Sequence, residues 1–191
     1  MKITSRNPPE ITKLTTVAKS RLFEIEQMDL RFSNGAQTQY ERLKSRSHGA
    51  VLIIPMLDDN TVLLIREYAA GVHRYELALP KGRIEIGEDI LDAANREMME
   101  EVGFAANKLN HLTSFTIAPG YLSHVTNIVL AQDLYEKREI GDEPEEIEVI
   151  PWKLNELPEL LRHAECTEAR SIAALFLARE HLGGYRTRND V

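Results

Sequence analysis

The stretch of residues 82–104, GRIEIGEDILDAANREMMEEVGF, places a glycine turn directly before a short helix that carries many carboxylates. We expect this helix to run from about Asp89 to Val102 and to end at Gly103, a residue type that commonly terminates helices. The apolar residues of the helix share a sector of roughly 120°, which predicts a face buried against a core. They are Ile90, Leu91, Ala94, Met98 and Val102.

Three glutamates, Glu97, Glu100 and Glu101, lie on the adjacent sector of the same helix. Like charges at this spacing repel, and the C-terminal end of a helix disfavours negative charge further. A solvated acidic face is the simplest interpretation of such a cluster. The alternative is a functional site, because a local conflict without structural benefit is typical of one, and a divalent cation between the carboxylates would relieve it.

Length and charge limit the classes of function. The chain has 191 residues, enough for one sizeable core, and its formal net charge of -7 argues against sequence-independent nucleic-acid binding. The single cysteine, Cys166, excludes an intramolecular disulfide and a cysteine cluster for zinc. The sequence has no apolar run long enough for a membrane span and no apolar signal core near its start, so we expect a cytoplasmic protein without membrane association.

Residues 1–45 predict an N-terminal arm followed by a small antiparallel β-hairpin. Residues 1–13 are polar and contain two prolines, so we expect an irregular arm there. Strand patterns follow at 21–31 and 37–43, and the Ser-Asn-Gly sequence at 33–35 is a hairpin signal. One face of this hairpin is apolar and must be covered, either by the rest of the chain or by a partner subunit.

Residues 46–191 predict a larger domain of strands and helices. Residues 49–57 and 61–68 are apolar strands that we expect to pair as a hairpin across the turn at 58–60. Further elements are predicted as strands at 74–79, 109–117, 125–133 and 147–152 and as helices at 154–163 and 168–182. This order is not a regular strand–helix alternation, so it predicts a mixed sheet between helices.

The spacing across the whole of residues 82–104 decides between the two interpretations of the acidic helix. Its fixed positions fill the pattern GX5EX7REUXEEXGU, where U is a bulky aliphatic residue and Phe104 takes the last U position as a large apolar residue. This pattern is the Nudix box, and the chain resembles the Nudix hydrolase superfamily over residues 45–185. The resemblance implies an α/β fold, an α/β/α sandwich around a mixed sheet. It also implies hydrolysis of a nucleoside diphosphate linked to another moiety, with two or three Mg²⁺ or Mn²⁺ ions.

The same resemblance implies roles for individual residues. Glu97 and Glu101 match the usual metal ligands, and Glu100 matches a third carboxylate that is a ligand or a base in different members. The backbone carbonyl of Lys81 matches a further metal ligand. The residues with an implied supporting role are Glu88 and Arg96, which tie the turn to the helix, and the backbone glycines Gly82 and Gly103.

Two segments after the box are similar to those of Nudix enzymes that act on ADP-ribose. Pro119 lies where such enzymes carry a proline, although Ala118 stands where serine is common. The Tyr121 ring would either stack on a nucleobase of the substrate or have a purely structural role in its loop. The acidic loop of residues 135–146 resembles the loop that carries a catalytic glutamate. Alignment on the following strand places Glu145 at the general-base position, with Glu143 and Glu146 as alternatives, and a solvated acidic loop as the non-functional interpretation.

Within the superfamily, the chain is similar to the NudE-like ADP-compounds hydrolases over nearly its whole length. The similar segments are VAKSRLF at 17–23, FSNG at 32–35, YER at 40–42, LIREY at 64–68, YEL at 75–77, the end of the box at 93–104 and GDEP at 141–144. This likeness implies ADP-ribose, NADH or short diadenosine polyphosphates as substrates, with release of AMP.

The likeness also implies a homodimer formed through the N-terminal strands, with Glu41, Arg66 and Glu76 as contacts to the small ADP-containing substrate. Ion pairing within the protein is the alternative role for these three residues. The competing functions are hydrolysis of nucleoside triphosphates or RNA caps, and a non-catalytic nucleotide-binding regulator on the same fold. We expect no nucleic acid as a partner.

Overall fold

The computed structural model of the chain describes residues 6–45 and 48–183. The chain divides into two compact units. Of the described residues, the first unit comprises 6–45 with 116–124, and the second comprises 48–115 with 125–183. Within the described residues, no helix is long and apolar enough to cross a membrane.

The first unit is built on a three-stranded antiparallel sheet of β1 (Glu10–Lys19), β2 (Glu24–Arg31) and β3 (Gln37–Leu43), in that order. The predicted hairpin between the last two strands is confirmed. Its turn is closed by a 2.9 Å hydrogen bond from the Phe32 N–H to the Ala36 carbonyl. Gly35 has a φ of +84°, a conformation that favours glycine.

Strand β1 begins at Glu10, so the prediction of an irregular arm is wrong for residues 10–13, while residues 1–5 of that arm lie outside the described residues. Its pairing with β2 is interrupted by register shifts between Ile11 and Lys13 and between Thr16 and Ala18. Each irregularity inserts an extra residue and disturbs the alternation of apolar and polar side chains. The apolar residues of β1 therefore lack the period of two by which a strand is recognised.

One face of this sheet remains apolar and exposed. Leu14 and Tyr40 both lie opposite Met28 in the register, so the three side chains share a face. Leu14 is 49% exposed and Tyr40 is 50% exposed, whereas Leu30, two residues from Met28 on the same face, is buried. The chain by itself thus leaves large apolar side chains in contact with water.

The described residues of the second unit form seven strands and three helices. The strands are β4 (Ala50–Pro55), β5 (Thr61–Ala69), β6 (Arg74–Ala78), β7 (Lys81–Arg83), β8 (Phe104–Thr116), β9 (Val125–Glu136) and β10 (Glu148–Lys153). The helices are α1 (Ile90–Glu101), α2 (Leu157–Leu160) and α3 (Ala169–Leu182). A single 3-10 turn, Leu154–Glu156, precedes α2, so the predicted helix at 154–163 is shorter than expected.

The strands form two sheets, and the predicted mixed sheet is confirmed. The mixed sheet has the strand order β7-β4-β9-β8, with β4 parallel to β9 and antiparallel to β7. The second sheet has the order β10-β5-β6 and antiparallel neighbours.

The predicted hairpin of β4 and β5 is wrong. Strand β4 is flanked by β7 and β9, so both of its edges are used, and β5 lies in the other sheet. A single bridge between Met56 and Val62 is what remains of the pairing. The short strand β7 was not predicted as a strand, because its three residues follow Pro80 and include Gly82, a combination typical of a turn.

The core lies on both faces of the mixed sheet, as side-chain alternation along β4 requires. Leu52 and Ile54 pack in one apolar cluster with residues of α2 and α3. Val51 and Ile53 pack in a second cluster with the apolar face of α1. All four side chains are fully buried. Helices therefore cover both faces, which confirms the α/β/α arrangement.

A buried hydrogen-bond chain holds the segment that leads into β7. The N–H of Leu79 donates to the Ser171 hydroxyl at 2.9 Å, and that hydroxyl donates to the Glu168 carboxylate at 2.8 Å. Glu168 caps α3 by accepting from the N–H groups of Arg170 and Ser171. Leu79 and Ser171 are both almost fully buried, so water cannot replace this partner.

Ser171→Ala should lower the free energy of unfolding by about 1–3 kcal/mol, because it leaves the buried Leu79 N–H without its acceptor. Urea unfolding followed by circular dichroism measures the change. Ser33→Ala, in the exposed turn before β3, is the control and should stay within about 0.5 kcal/mol of the wild type. Equal stability of the two variants would contradict the role given to Ser171.

Candidate active site

The acidic helix forms as predicted. Asp89 is the N-cap and accepts a 2.8 Å hydrogen bond from the Leu91 N–H, and α1 ends at Glu101. Gly103 follows with a φ of +80°, and its N–H donates to the Met98 carbonyl at 3.1 Å. The apolar stripe faces the core: Ala94, Met98 and Val102 are buried, and Ile90 and Leu91 pack against the same cluster.

The three helix glutamates differ in burial. Glu97 is 9% exposed and Glu101 is 3% exposed, whereas Glu100 keeps part of its carboxylate in water. Burial raises the pKa of Glu97 and Glu100, each with a smaller contribution from the negative charge of Glu143. Burial also raises the pKa of Glu101 to about 8, against the opposing influence of Lys81. The helix therefore holds carboxylates that would gain from a positive charge beside them.

Strand β7 lies directly against the carboxylates of α1. A Cβ atom on Gly82 would stand 1.8 Å from the Glu97 Cδ, so no other residue type fits there without displacing Glu97. The Lys81 N–H donates to Glu101 at 2.9 Å, and the Lys81 ammonium pairs with Glu67 at 2.6 Å. The glycine is thus a requirement of packing between strand and helix, and its φ is unexceptional.

Arg96 connects the turn before the helix to the helix glutamates. Its guanidinium donates to Glu88 at 2.8 Å, to Glu97 at 2.8 Å and to Glu100 at 3.3 Å. It also donates to the Arg83 carbonyl at 3.0 Å. The hydrogen bond from Arg96 lowers the pKa of Glu88, which therefore stays ionised and fixes the turn.

The donor set fits a divalent cation of the hard class. Among residues 6–45 and 48–183, no three histidine, cysteine or acidic side chains already stand in a ligand arrangement. Arg96 neutralises Glu97 and Glu100 in the present arrangement. The oxygens of Glu97, Glu100 and Glu101 are nevertheless the ligand type that Mg²⁺ and Mn²⁺ prefer, and their clustering on one flank of α1 supplies the negative charge.

The acidic loop runs past the C-terminal end of α1. The Lys137 N–H donates to the Gly103 carbonyl at 3.1 Å, and the Glu139 N–H donates to the Met99 carbonyl at 3.1 Å. Further along, a Cβ atom on Gly141 would stand 2.1 Å from a Glu143 carboxylate oxygen and 3.5 Å from the Glu100 Cβ. The loop therefore packs closely on the helix at Gly141.

The three loop glutamates have different surroundings in the structure. The sequence favours Glu145, but the Glu145 carboxylate accepts a 2.7 Å hydrogen bond from the Tyr75 hydroxyl. Glu143 is the loop glutamate whose charge acts on both Glu97 and Glu100. Glu143 is half-buried, whereas Glu145 and Glu146 are exposed. The geometry therefore favours Glu143 as the residue that faces the helix carboxylates.

The two predicted substrate contacts of the second unit are engaged in ion pairs. Arg66 donates to Glu148 at 2.7 Å and to Glu165 at 2.9 Å. Glu76 is 7% exposed, and it accepts hydrogen bonds from Arg74 at 2.6 Å and from the Thr167 hydroxyl at 2.9 Å. For Glu76 the structure favours the alternative of internal ion pairing.

The other predicted contacts lie in the first unit. Glu41 is exposed on β3, opposite Gln27 of β2. Pro119 is exposed and follows Ala118, whose φ of +44° marks a strained turn. Tyr121 is 73% exposed, and its carbonyl accepts a 2.8 Å hydrogen bond from the Leu43 N–H. The Tyr121 ring is therefore available for stacking while its backbone is fixed to β3.

Sequence reasoning missed Tyr75 and Glu67 as neighbours of the site. Tyr75 lies 70 positions before Glu145, and Lys81 lies 14 positions after Glu67. These pairs follow from how the two sheets and the loop meet. No local spacing in the sequence signals them.

Comparisons with known proteins agree with this architecture. The NUDIX domain profile matches residues 46–176, and the profile of the NudE-type Nudix hydrolase N-terminal domain matches residues 9–42. The ADP compounds hydrolase NudE of Escherichia coli (strain K12) is 48% identical over 94% of this chain and 96% of its own length. The ADP-ribose pyrophosphatase of Bacillus subtilis (strain 168) is 30% identical over 84% of this chain and 89% of its own length.

A solved structure is also similar, the crystal structure of an ADP compounds hydrolase. It has a TM-score of 0.86 and 48% identity, and the match covers 95% of this chain and 98% of that chain. The fold, the carboxylate helix and these matches define the chain as a pyrophosphohydrolase. It belongs to the Nudix hydrolase family, among the members with a NudE-type N-terminal domain.

Glu76→Gln distinguishes ion pairing from substrate contact. Burial alone raises the pKa of Glu76, but hydrogen bonds from Arg74 and Thr167 outweigh it, so the pKa lies below its ordinary value of 4.5. A lowered pKa stabilises the fold above pH 4.5, and that contribution disappears as the pH falls through the folded-state pKa. We expect the variant to lose about 1 kcal/mol at pH 7 and progressively less below pH 4.5.

Thermal unfolding between about pH 3.5 and 8 measures this change, and KM for the best substrate is the second readout. Under ion pairing KM stays near the wild-type value. A higher KM with unchanged stability would instead assign Glu76 to substrate binding.

Proposed function

We propose that the chain hydrolyses the pyrophosphate bond of ADP-linked compounds with Mg²⁺ or Mn²⁺ and releases AMP. ADP-ribose is the first candidate substrate, with NADH and short diadenosine polyphosphates as further candidates. The Escherichia coli and Bacillus subtilis relatives, an ADP compounds hydrolase and an ADP-ribose pyrophosphatase, support this substrate class.

One observation carries the proposal: the packing of β7 on the carboxylate flank of α1. The contact of Gly82 with Glu97 and the hydrogen bond from Lys81 to Glu101 bring a strand backbone to the acidic side chains. A merely solvated acidic face would not need a glycine against a buried carboxylate. This arrangement supports a site that gathers oxygen ligands from helix and strand.

Glu97 and Glu101 would hold the metal, together with Glu100 and the Lys81 carbonyl, and we expect two or three ions. The bound ions would supply positive charge against the pyrophosphate oxygens and the departing phosphate. Arg96 and Glu88 hold the turn and the helix together. The chain itself thus contributes a fixed array of negative oxygens in a partly dry environment, where electrostatic interactions are strong.

The general base is best assigned to Glu143. In the reaction, a water oxygen forms a bond to phosphorus, the bridging phosphorus–oxygen bond breaks, and the water proton passes to the base. Glu143 lies on the loop that packs against α1 and acts electrostatically on Glu97 and Glu100.

Substrate selection would draw on side chains outside the box. Arg66 is partly exposed and would meet a phosphate, with Glu148 and Glu165 fixing the direction of its guanidinium. Tyr121 would stack on a base, Pro119 would shape that turn, and Glu41 would bind ribose hydroxyls or the adenine amino group.

A substrate panel tests the proposal. ADP-ribose, NADH, diadenosine triphosphate, nucleoside triphosphates and capped RNA are incubated with Mg²⁺, and products are separated by anion-exchange chromatography. AMP from the ADP-linked compounds is the expected product. Preferential hydrolysis of triphosphates or caps would change the substrate class, and no turnover at all would favour the binding regulator.

Glu101→Gln and Glu143→Gln separate metal binding from base catalysis. We expect Glu101→Gln to lower kcat roughly a thousandfold or more and to weaken Mn²⁺ binding, because the metal site loses the negative charge of one of its carboxylate ligands. Glu143→Gln should lower kcat roughly a hundredfold or more while Mn²⁺ binding stays near the wild-type value. Calorimetric titration with Mn²⁺ and steady-state kinetics measure both. A near-wild-type rate for Glu101→Gln would refute its assigned role.

We also propose that the chain forms a homodimer through the exposed apolar face of the first unit. Leu14→Glu places a charge on that face and should shift the protein toward the monomer in size-exclusion chromatography with light scattering. Thr15→Glu is the matched control, because the neighbouring residue of β1 points to the opposite face. A monomeric wild-type protein would contradict the proposal.

A further inference from the structure

The acidic loop is fixed at two places that lie on different elements. At its start, Lys137 and Glu139 donate backbone hydrogen bonds to the last turn of α1 and to Gly103. Near its end, the Glu145 carboxylate accepts the 2.7 Å hydrogen bond from Tyr75 of β6. Glu143 lies between these attachments, so its position depends on both.

Tyr75 is itself held in place by its surroundings. It lies opposite Tyr68 in the pairing of β5 with β6, and the two rings meet edge to face with centroids 6.0 Å apart. The Tyr68 hydroxyl lies 2.7 Å from the His73 Nδ1 in the turn that joins the strands. The Tyr75 hydroxyl is therefore presented from a paired strand rather than from a freely moving loop.

Pro144 makes the link between Glu145 and Glu143 stiff. Its ring fixes its own φ, and it restricts the preceding residue, Glu143, to extended backbone conformations. A side chain anchored at 145 thus limits the directions that the side chain at 143 can take. On the other side of Glu143, a Cβ atom on Gly141 would stand 2.1 Å from a Glu143 carboxylate oxygen and 3.5 Å from the Glu100 Cβ, so the Glu143 carboxylate lies beside the part of the loop that faces the flank of α1.

We propose that Tyr75 is a positioning residue that, through its hydrogen bond to Glu145 and the intervening Pro144, holds Glu143 against the carboxylates of α1. In this arrangement Glu145 serves as a hydrogen-bond acceptor and takes no proton from water. The inference rests on the proposed function, because it assigns the general base to Glu143.

Glutamine at position 145 separates the two roles of Glu145. An amide oxygen still accepts the hydrogen bond from Tyr75, but the amide cannot take a proton from water. The variants are Tyr75→Phe, Glu145→Ala, Glu145→Gln, and the double variant Tyr75→Phe with Glu145→Ala. Tyr68→Phe is the matched control, since it removes a neighbouring hydroxyl that faces His73 and leaves both rings in place.

Two readouts are used. Steady-state kinetics with ADP-ribose and Mg²⁺ give kcat and KM separately. Hydrogen–deuterium exchange of peptides covering residues 137–148 reports on the loop without any need for turnover, so it tests the Tyr75–Glu145 contact even if ADP-ribose is not hydrolysed. If the proposed function is wrong, the wild-type protein will show no turnover of ADP-ribose. If the positioning role is wrong, Tyr75→Phe will show the same hydrogen–deuterium exchange as the wild type.

We expect Tyr75→Phe and Glu145→Ala each to lower kcat about tenfold with little change in KM, and to speed exchange in the loop. The double variant should be no slower than either single variant, because both remove the same contact. Glu145→Gln should retain kcat within about threefold and keep the wild-type exchange, as should Tyr68→Phe.

Three results would overturn the inference. Loss of activity in Glu145→Gln as large as in Glu143→Gln would make Glu145 the base. An increase in KM alone for Tyr75→Phe would make Tyr75 a substrate contact. Wild-type kinetics and exchange in Tyr75→Phe would show that the hydrogen bond has no positioning effect.

Discussion

The close contact between Gly82 and the Glu97 carboxylate is the constraint on which the rest of the site depends. A side chain at position 82 would collide with that carboxylate, so the strand can approach the helix only through glycine. The approach brings the Lys81 N–H to Glu101 and places β7 at the edge of the mixed sheet beside β4. The absence of a Cβ atom at position 82 thereby allows the strand to pack against the helix.

This packing creates an electrostatic strain that Arg96 only partly relieves. The guanidinium shares its donors among Glu88, Glu97 and Glu100, while Glu101 is left with a backbone N–H and a pKa raised to about 8 by burial. A fold selected for stability alone would not bury these carboxyl groups next to one another. The free energy lost by burying these groups is understandable if they form an oxygen-rich site for a strongly charged ligand.

The sequence predicts this helix well and the surrounding strands less well, for physical reasons. The signals that locate α1 are local, so residues 82–104 alone were enough to predict it. They are the helical spacing of the apolar residues, the N-cap Asp89 and the terminating Gly103. The pairing of β4 with β9 instead of β5 depends on contacts between distant residues, which periodicity does not encode. The irregularities in β1 hide its alternation, and the contact of Tyr75 with Glu145 exists only after two sheets and a loop have come together.

The division of the site between helix and loop has a mechanical consequence. The helix carboxylates are fixed by the core, because Met98 and its apolar neighbours lock the orientation of α1. A base that accepts a proton and then releases it benefits from partial contact with solvent, which a loop provides and a packed helix does not. Such a loop loses precision unless something rigid holds it. The hydrogen bond from β6, the backbone contacts with α1 and the stiff Pro144 supply that rigidity while the Glu143 carboxylate stays at the boundary between core and water.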